Sequence, residues 1–402
     1  MSLPRLHQSP RDDAFVQNPY PFYATARTAG PLVDWADYDM PVATDAATVG
    51  ALLRDRRFGR EPPPGDRPPT PPHLAAFQRL EDHSMLEREP PAHTRLRGLV
   101  LRAFTSARVA AMAPQIDALA HSLIDAFPAG PFDLLTSFAE PLPVTIIARL
   151  MGVPDAMTGQ LLDWSHAMVA MYQARRDRQV EEAANAAAAD FTTYLQDLIA
   201  HRRHQPGEDL LSHLIAARDG SDTLSEIEMI ATAVLLLNAG HEATVHSIGT
   251  GVKALLEAGA RPLPETTEEV LRYDPPLHMF TRYATQEATI AGHRFAPGDQ
   301  VGLLLAAAGR DTSIVRAPDR FDPGRAAVKH LAFGAGIHFC VGAPLARAEI
   351  ALALTTLFDR CPDLRLSAPP RYADRYHFHG LIALMVTRGA ATSGRLTLCI
   401  TG

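Results

Sequence analysis

The chain is poor in cysteine, nearly devoid of lysine, and has no long apolar run. Three cysteines in 402 residues, Cys340, Cys361 and Cys399, are too few to staple a protein of this size, which excludes a disulfide scaffold and points to a reducing compartment. No apolar stretch approaches the roughly 18 residues of a membrane span, and the N-terminal MSLPRLHQSPRDD has no signal-peptide core. The setting expected is soluble and cytoplasmic. Lysine stands only at Lys253 and Lys329, so 36 of the 38 basic residues are arginines. Arginine keeps its charge when buried and forks onto carboxylates, so arginine–carboxylate pairs are expected inside the fold.

What is present is ordinary in bulk. Apolar residues make up 47% and charged residues 21%, which is globular rather than disordered, collagen-like or coiled-coil. The balance of 38 basic against 45 acidic residues, −7 overall, argues against a dominant nucleic-acid surface and leaves room for a local basic patch. At roughly 150 residues per domain the length predicts two or three domains.

Residues 62–72, PPPGDRPPTPP, hold seven prolines in eleven positions and must be loop, either a surface connection or a mobile lid. Before them lie the β-type stretches PLVDW and MPVAT and a helical segment near 45–54. From Pro90 to about Arg218 apolar residues recur three and four apart, as in RLRGLVLRAF and VTIIARLMGV, and the Ala-rich 183–200 is a strong helix former. Leu224 to about Leu256 reads as one helix of about thirty residues, with Ser225 as N-cap and Glu228 completing a capping box. Its middle, AVLLLNAG, is apolar all round and belongs in an interior. Next come a short helix ETTEEVLRY, strand-like HMFTRYAT, ATIAG and HRFAPGDQVGLLLA, a loop-rich stretch, a last helix from Ala343 to about Phe358, and strand-like LRLSA and GLIALMVT. The fold class expected is mainly α with a minor β layer.

The most informative segment is Phe333-Gly334-Ala335-Gly336-Ile337-His338-Phe339-Cys340-Val341-Gly342. Three glycines around one cysteine suit backbone that approaches a flat object closely or takes positive φ. Cys340 stands just before a helix N-terminus, where the dipole and unpaired N–H groups favour a thiolate able to bind a metal. A lone cysteine is ordinarily a small hydrophobe, and that reading is kept for Cys361 and Cys399.

The segment resembles the F-G-x-G-x-H-x-C-x-G signature of the cytochrome P450 family, with every fixed position filled. The resemblance implies heme b, its iron ligated by the Cys340 thiolate, with Phe333 near the ligand and Gly334, Gly336 and Gly342 letting the loop lie against the porphyrin. Other segments agree. Glu269 and Arg272 in EEVLR share a helix face and resemble the family's E-x-x-R pair, completed by Arg325 in RFDPGR, with a structural role. His93 and Arg97 in PPAHTRLR, Arg282 in FTRYAT and His338 resemble positions that contact heme propionates. The resemblance runs from NPYPFY to GLIALMVT, so residues 1–402 are read as a single large domain closed around one cofactor, with 389–402 an unassigned C-terminal extension. Glu89 stands where Asp commonly precedes Pro-Pro, and Gly309 replaces a common Asn in AAAGRD.

In the long helix, Ala239-Gly240-His241-Glu242-Ala243-Thr244 resembles the family's A-G-x-[DE]-T-[TS] segment. Gly240 is expected to permit a local opening where dioxygen sits, and Glu242 to couple to a proton path. The hydroxyl residue expected after the acid is Ala243, and Thr244 lies about 100° further round the helix. Either the substrate or ordered water supplies the missing hydrogen bond, or the enzyme is poorly coupled or runs a different oxidation. His241 and His246, five apart, do not share a face and are read as exposed or satisfied histidines rather than a metal pair.

The resemblance places the substrate cavity between the long helix and the distal heme face. Its expected walls are Met85 and Leu86, Met168 and Met171, Leu236 and Ala239, Leu277 and Met279, and Phe378, all apolar, though core packing explains each equally well. The chain has no flavin or nicotinamide segment, so a separate iron–sulfur ferredoxin with its reductase is implied. Arg95, Arg102, Arg108 and Arg347 would form its basic docking patch. The protein expected is a monomeric heme-thiolate monooxygenase acting on an apolar or amphipathic molecule with dioxygen, with no nucleic-acid or membrane partner. A peroxide-driven oxygenase and a non-catalytic heme binder are the rivals.

Overall fold

The computed structural model describes residues 2–63, 65, 69–172, 176–218, 222–374, 376 and 378–389. Of the proline-rich segment, 64 and 66–68 fall outside these residues, as does the expected C-terminal extension beyond Gly389, including Cys399.

The architecture is mainly helical with a minor β part. One six-stranded sheet runs in the order Arg5–Leu6, Leu32–Trp35, Met40–Ala43, Gln300–Leu304, Met279–Ala284, Phe58–Gly59. PLVDW and MPVAT form its hairpin, Leu32 opposite Ala43 and Trp35 opposite Met40. The turn carries Asp39 at φ 49°, a left-handed conformation that Asp tolerates better than most residues. Met40–Ala43 then pairs in parallel with Gln300–Leu304, Val42 opposite Gly302. A Cβ on Gly302 would lie 2.8 Å from Val42 Cγ1, so the close approach of these strands requires glycine.

The long helix spans Glu226–Glu257, and its N-terminus is closed by the Ser225–Glu228 capping box. It packs against Pro141–Met151, Arg178–His204, Thr266–Tyr273 and the last helix, Ala343–Arg360, which also lies along Ser106–Asp125. Its middle is buried except on one side, where Ala239 is exposed although it stands in mid-helix. That opening is an internal cavity. Among the described residues no helix is long and apolar enough to cross a membrane.

Two segments differ from their sequence patterns. HRFAPGDQVGLLLA divides into His293–Phe295 and Gln300–Leu304, and Leu305–Gly309 turns helical, because an alanine run has low strand and high helix propensity. Phe132–Asp133, inside a stretch that reads as helical, is a two-residue strand paired with Met385–Thr387, Val386 opposite Phe132. Two residues carry no period.

Candidate active site

The cysteine loop folds back on itself: the Cys340 N–H donates to Phe333 O at 3.0 Å and the Gly334 N–H to Leu331 O at 2.8 Å. Gly334 and Gly336 adopt φ of 68° and 71°, and a Cβ on Gly336 would lie 2.5 Å from Leu53 O. Side chains there are excluded by strain and by contact. Gly342 has ordinary φ, and a Cβ on it would meet only Cys340 Sγ, at 3.8 Å, so its bareness keeps the wall beside the sulfur flat.

A cavity of about 240 Å³ separates this loop from the long helix. Phe333, His338, Cys340 and Gly342 border it on the loop side; Leu236, Ala239, Gly240, Ala243 and Thr244 border it from the helix. Met85, Leu86, His93, Arg97 and Leu277 complete the rim. Gly334 and Gly336 shape the loop without bordering the space, and Arg282 does not border it either. Arg282 is buried beside Phe280, 5.9 Å from the ring centroid, with Nη1 donating to Thr281 O at 2.8 Å. Burial pushes its pKa down to about 10. Arg60, 5.5 Å from the same ring, borders the cavity instead. Two residues before the proline run, it carries no sequence signal of its own.

The Cys340 side chain is open to the cavity but closely surrounded by protein. That burial pushes the thiol pKa up, against the lowering pull of the Gly342 and Ala343 N–H groups and of Arg97. At this sulfur burial outweighs the helix N-terminus, and a metal bound there would favour the thiolate. At the rim, the buried Nδ1 of His93 has no hydrogen-bond partner among the described residues. The His93 ring lies 4.3 Å from that of His338, and burial, then His338 and Arg97, pushes the His93 pKa down to about 4. Glu89 orders this edge: its Oε1 is 2.8 Å from His338 Nε2 and accepts the Arg60 N–H at 2.8 Å. Arg97 Nη2 donates to Phe339 O at 2.6 Å. A sulfur donor in one wall, an apolar slot, and arginines with an unsatisfied imidazole along one edge fit an iron porphyrin with two acidic side chains.

The long helix runs as α-helix through Gly240. A Cβ at 240 would lie 2.9 Å from Ile147 Cγ1, so glycine serves close helix packing. Ala243 and Thr244 both border the cavity, as does Ser247, whose Oγ donates to Ala243 O at 2.8 Å. The rotation from 243 to 244 does not carry Thr244 out of the space. Glu242 is buried with three histidines around it: His246 Nε2 at 3.4 Å, His166 Nε2 at 3.8 Å and His241 Nε2 at 3.9 Å. Burial alone would raise its pKa, but His246, His241 and His166 outweigh it and hold the carboxyl down at about 2. His241 and His246 are thus not exposed, and each is at most partly satisfied. His241 Nδ1 is 2.7 Å from Leu237 O, but its Nε2 and both nitrogens of His246 lack hydrogen bonds among the described residues. They flank Glu242 from two faces of the helix.

A second cavity, about 340 Å³, adjoins the first through Leu86, Ala239, Ala243 and Leu277, which border both. Met279, Phe378 and Glu242 line it. Met168 and Met171 line neither; they are buried in helix packing, with Met168 Sδ 3.7 Å from Asn238 Nδ2. The walls are also less uniformly apolar than the sequence suggests, since Glu81, Glu87, Asn238 and Arg60 border this space. Burial raises the Glu81 pKa to about 7, partly offset by the Tyr172 hydroxyl donating to Oε2 at 3.0 Å.

Outside both cavities, Glu269 and Arg272 are fully buried and bidentate, at 2.7 and 2.9 Å, and Arg325 Nε reaches Glu269 at 3.1 Å. Arg272 Nη1 also donates to Gly309 O at 2.9 Å and Pro318 O at 3.0 Å. A Cβ on Gly309 would lie 2.5 Å from Arg272 O, which accounts for glycine at that position. Of the expected docking arginines, Arg95 pairs with Asp222 and Glu228, Arg347 with Glu268, and Arg108 donates to Ala103 O.

The sequence model described as Cytochrome P450 matches residues 263–370. The chain is 38% identical to cytochrome P450 107B1 of Saccharopolyspora erythraea, over 94% of this chain and 97% of that one. It is 39% identical to the cytochrome P450 monooxygenase PikC of Streptomyces venezuelae, over 89% and 87%. Its fold superimposes on a crystal structure of P450BioI in complex with hexadec-9Z-enoic acid ligated acyl carrier protein with a TM-score of 0.87, at 34% identity, over 94% and 99% of the two chains. With a cysteine loop and a long helix facing each other across one slot, and identity at this level along nearly its whole length, the chain belongs to the cytochrome P450 family of oxidoreductases.

Proposed function

We propose that this cytochrome P450 binds heme b through Cys340 and oxidises an apolar or amphipathic small molecule with dioxygen and two electrons from a ferredoxin and its reductase. The observation that carries the reading is the placement of Cys340 opposite Gly240–Thr244 across one cavity. When bound, the heme supplies the redox chemistry of dioxygen. Cys340 would ligate its iron, and His93, Arg97, His338 and Arg60 would hold its propionates. Glu242, held ionised among His246, His241 and His166, keeps a negative charge beside the second cavity. Ala243 leaves room for a water there. Leu277, Met279 and Phe378 exclude solvent from the substrate, while Glu81 and Asn238 offer it hydrogen bonds. The similarity to P450BioI, crystallised with a fatty acyl group, supports a largely apolar substrate body with a polar end. Cofactor contacts spread from Arg60 to Cys340 support a single domain, read as a cytoplasmic monomer.

A screen for compounds that convert the ferric heme from low to high spin tests the pocket, and turnover of each hit with a surrogate ferredoxin system tests the reaction. Oxidised product from at least one hit is expected; hits that bind and are never oxidised sink the monooxygenase reading. Ala243 favours one alternative, a peroxide-driven oxygenase, which product formation from hydrogen peroxide alone, faster than with reductase, would establish.

A further inference from the structure

Leu277 and Phe378 pair across an isolated β-bridge and both border the second cavity. Side chains alternate along extended chain, so the next residues, His278 and His379, turn away from that space. Both are buried, 0% and 3% exposed, beside the buried Asp274. His379 Nε2 lies 3.1 Å from Val16 O, a pure acceptor, which fixes the proton on Nε2 and leaves a lone pair on Nδ1. His278 Nδ1 lies 2.9 Å from the Tyr23 hydroxyl; with that hydroxyl donating to Tyr376, the imidazole proton sits on Nδ1 and the lone pair on Nε2. These two nitrogens have no hydrogen-bond partner among the described residues. Both face Asp274 Oδ1, His379 Nδ1 at 3.4 Å and His278 Nε2 at 3.7 Å.

Two lone pairs and a carboxylate oxygen converging in a buried space repel one another unless a cation stands between them. The separations exceed those of N–H···O hydrogen bonds, at about 2.7–3.2 Å. They lie near the roughly 3.3 Å between neighbouring ligands of a tetrahedral ion with bonds of about 2.0–2.1 Å. The outer contacts also suit a metal site: each histidine has its other nitrogen bonded, and Asp274 accepts the Tyr20 hydroxyl at 2.7 Å and the Tyr372 hydroxyl. We propose that Asp274, His278 and His379 bind one divalent cation of the zinc type, with a water as fourth ligand. The ion ties the end of the Thr266–Tyr273 helix to the two segments that carry Leu277 and Phe378, and so stiffens one wall of the second cavity. The proposal stands apart from the heme and its reaction.

The holoenzyme, prepared without a metal-affinity tag, is assayed for zinc against heme iron. About one zinc per chain is expected, removable by chelator and restored by added zinc with a rise in Tm. His379→Gln and His278→Gln should each lower zinc to under about a tenth per chain and abolish the rise, while the exposed control His7→Gln keeps both. Should the variants not fold, anomalous diffraction from zinc-soaked wild-type crystals on either side of the zinc edge decides, with a peak among the three side chains expected. Wild-type protein that takes up no more zinc than His379→Gln, or soaked crystals with no peak there, would overturn the proposal.

Discussion

Ala243 offers no hydroxyl on the turn of helix that faces Cys340, while Thr244 and Ser247 place hydroxyl residues around the same cavity. On the reading that ordered water or substrate fills the space beside Ala243, Ala243→Thr leaves product per nicotinamide consumed within about twofold of wild type. A rise of about tenfold with the native substrate would assign the shortage to residue 243 itself. Glu81 gives a second test at this scale. With a pKa of about 7, its carboxyl is neutral below neutral pH and anionic above, so a ligand bearing an ammonium group binds more tightly as pH rises through that value. Spectral titrations should show the dissociation constant falling across pH 6–8 in wild type, by about tenfold at most, and flat in Glu81→Gln. A wild-type profile as flat as the variant's removes Glu81 from the ligand's surroundings.

At the level of elements, the buried Glu269–Arg272–Arg325 cluster fastens the Thr266–Tyr273 helix to the loop that precedes the cysteine segment. Glu269 also accepts the Asp322 N–H at 2.9 Å, so its loss strands two guanidinium groups and a backbone donor. Breaking a buried pair of this kind costs about 3–5 kcal/mol, whereas Lys253–Glu257, a partly exposed pair at 2.8 Å on the long helix, is worth about 0.3–0.5 kcal/mol. Glu269→Ala should therefore lower the unfolding free energy by about 3–5 kcal/mol in denaturant titrations, and Glu257→Ala by less than about 1 kcal/mol. Equal shifts would show that the buried cluster contributes no more than an exposed pair. Gly309→Ala tests the same junction through space rather than charge. Its Cβ must displace the Arg272 carbonyl, and an overpacking cost of about 1–3 kcal/mol is expected in the same titration.

Over the whole molecule, a net charge of −7 says nothing of how charge is distributed locally. Arg95 and Arg347 are engaged in ion pairs, and Arg102 is exposed at the end of the Ala92–Ala103 helix. If an acidic ferredoxin docks there, Arg102→Gln lowers the rate of the first electron transfer and flattens its dependence on ionic strength, measured by stopped-flow reduction. An unchanged rate and salt slope would remove Arg102 from the docking surface.

Sequence by itself determined the long helix and its cap, the E-x-x-R pair, the cysteine loop and the family, because each is written in local spacing: apolar residues at helical period, Ser225 three residues before Glu228, Glu269 three before Arg272, and glycines at fixed offsets from Cys340. Tertiary structure alone decided which side chains meet across long separations. Arg60 joins the cavity edge although it matches no motif, and Arg282, which matches one, turns toward Thr281. Met168 and Met171 pack into the helical core while Glu81 comes to the second cavity. Asp274, His278 and His379 converge only because an isolated bridge sets Leu277 against Phe378. Local periodicity tells which face of an element is apolar; the partner that covers that face, and the polar atoms left unpaired when it does, depend on contacts between residues hundreds of positions apart.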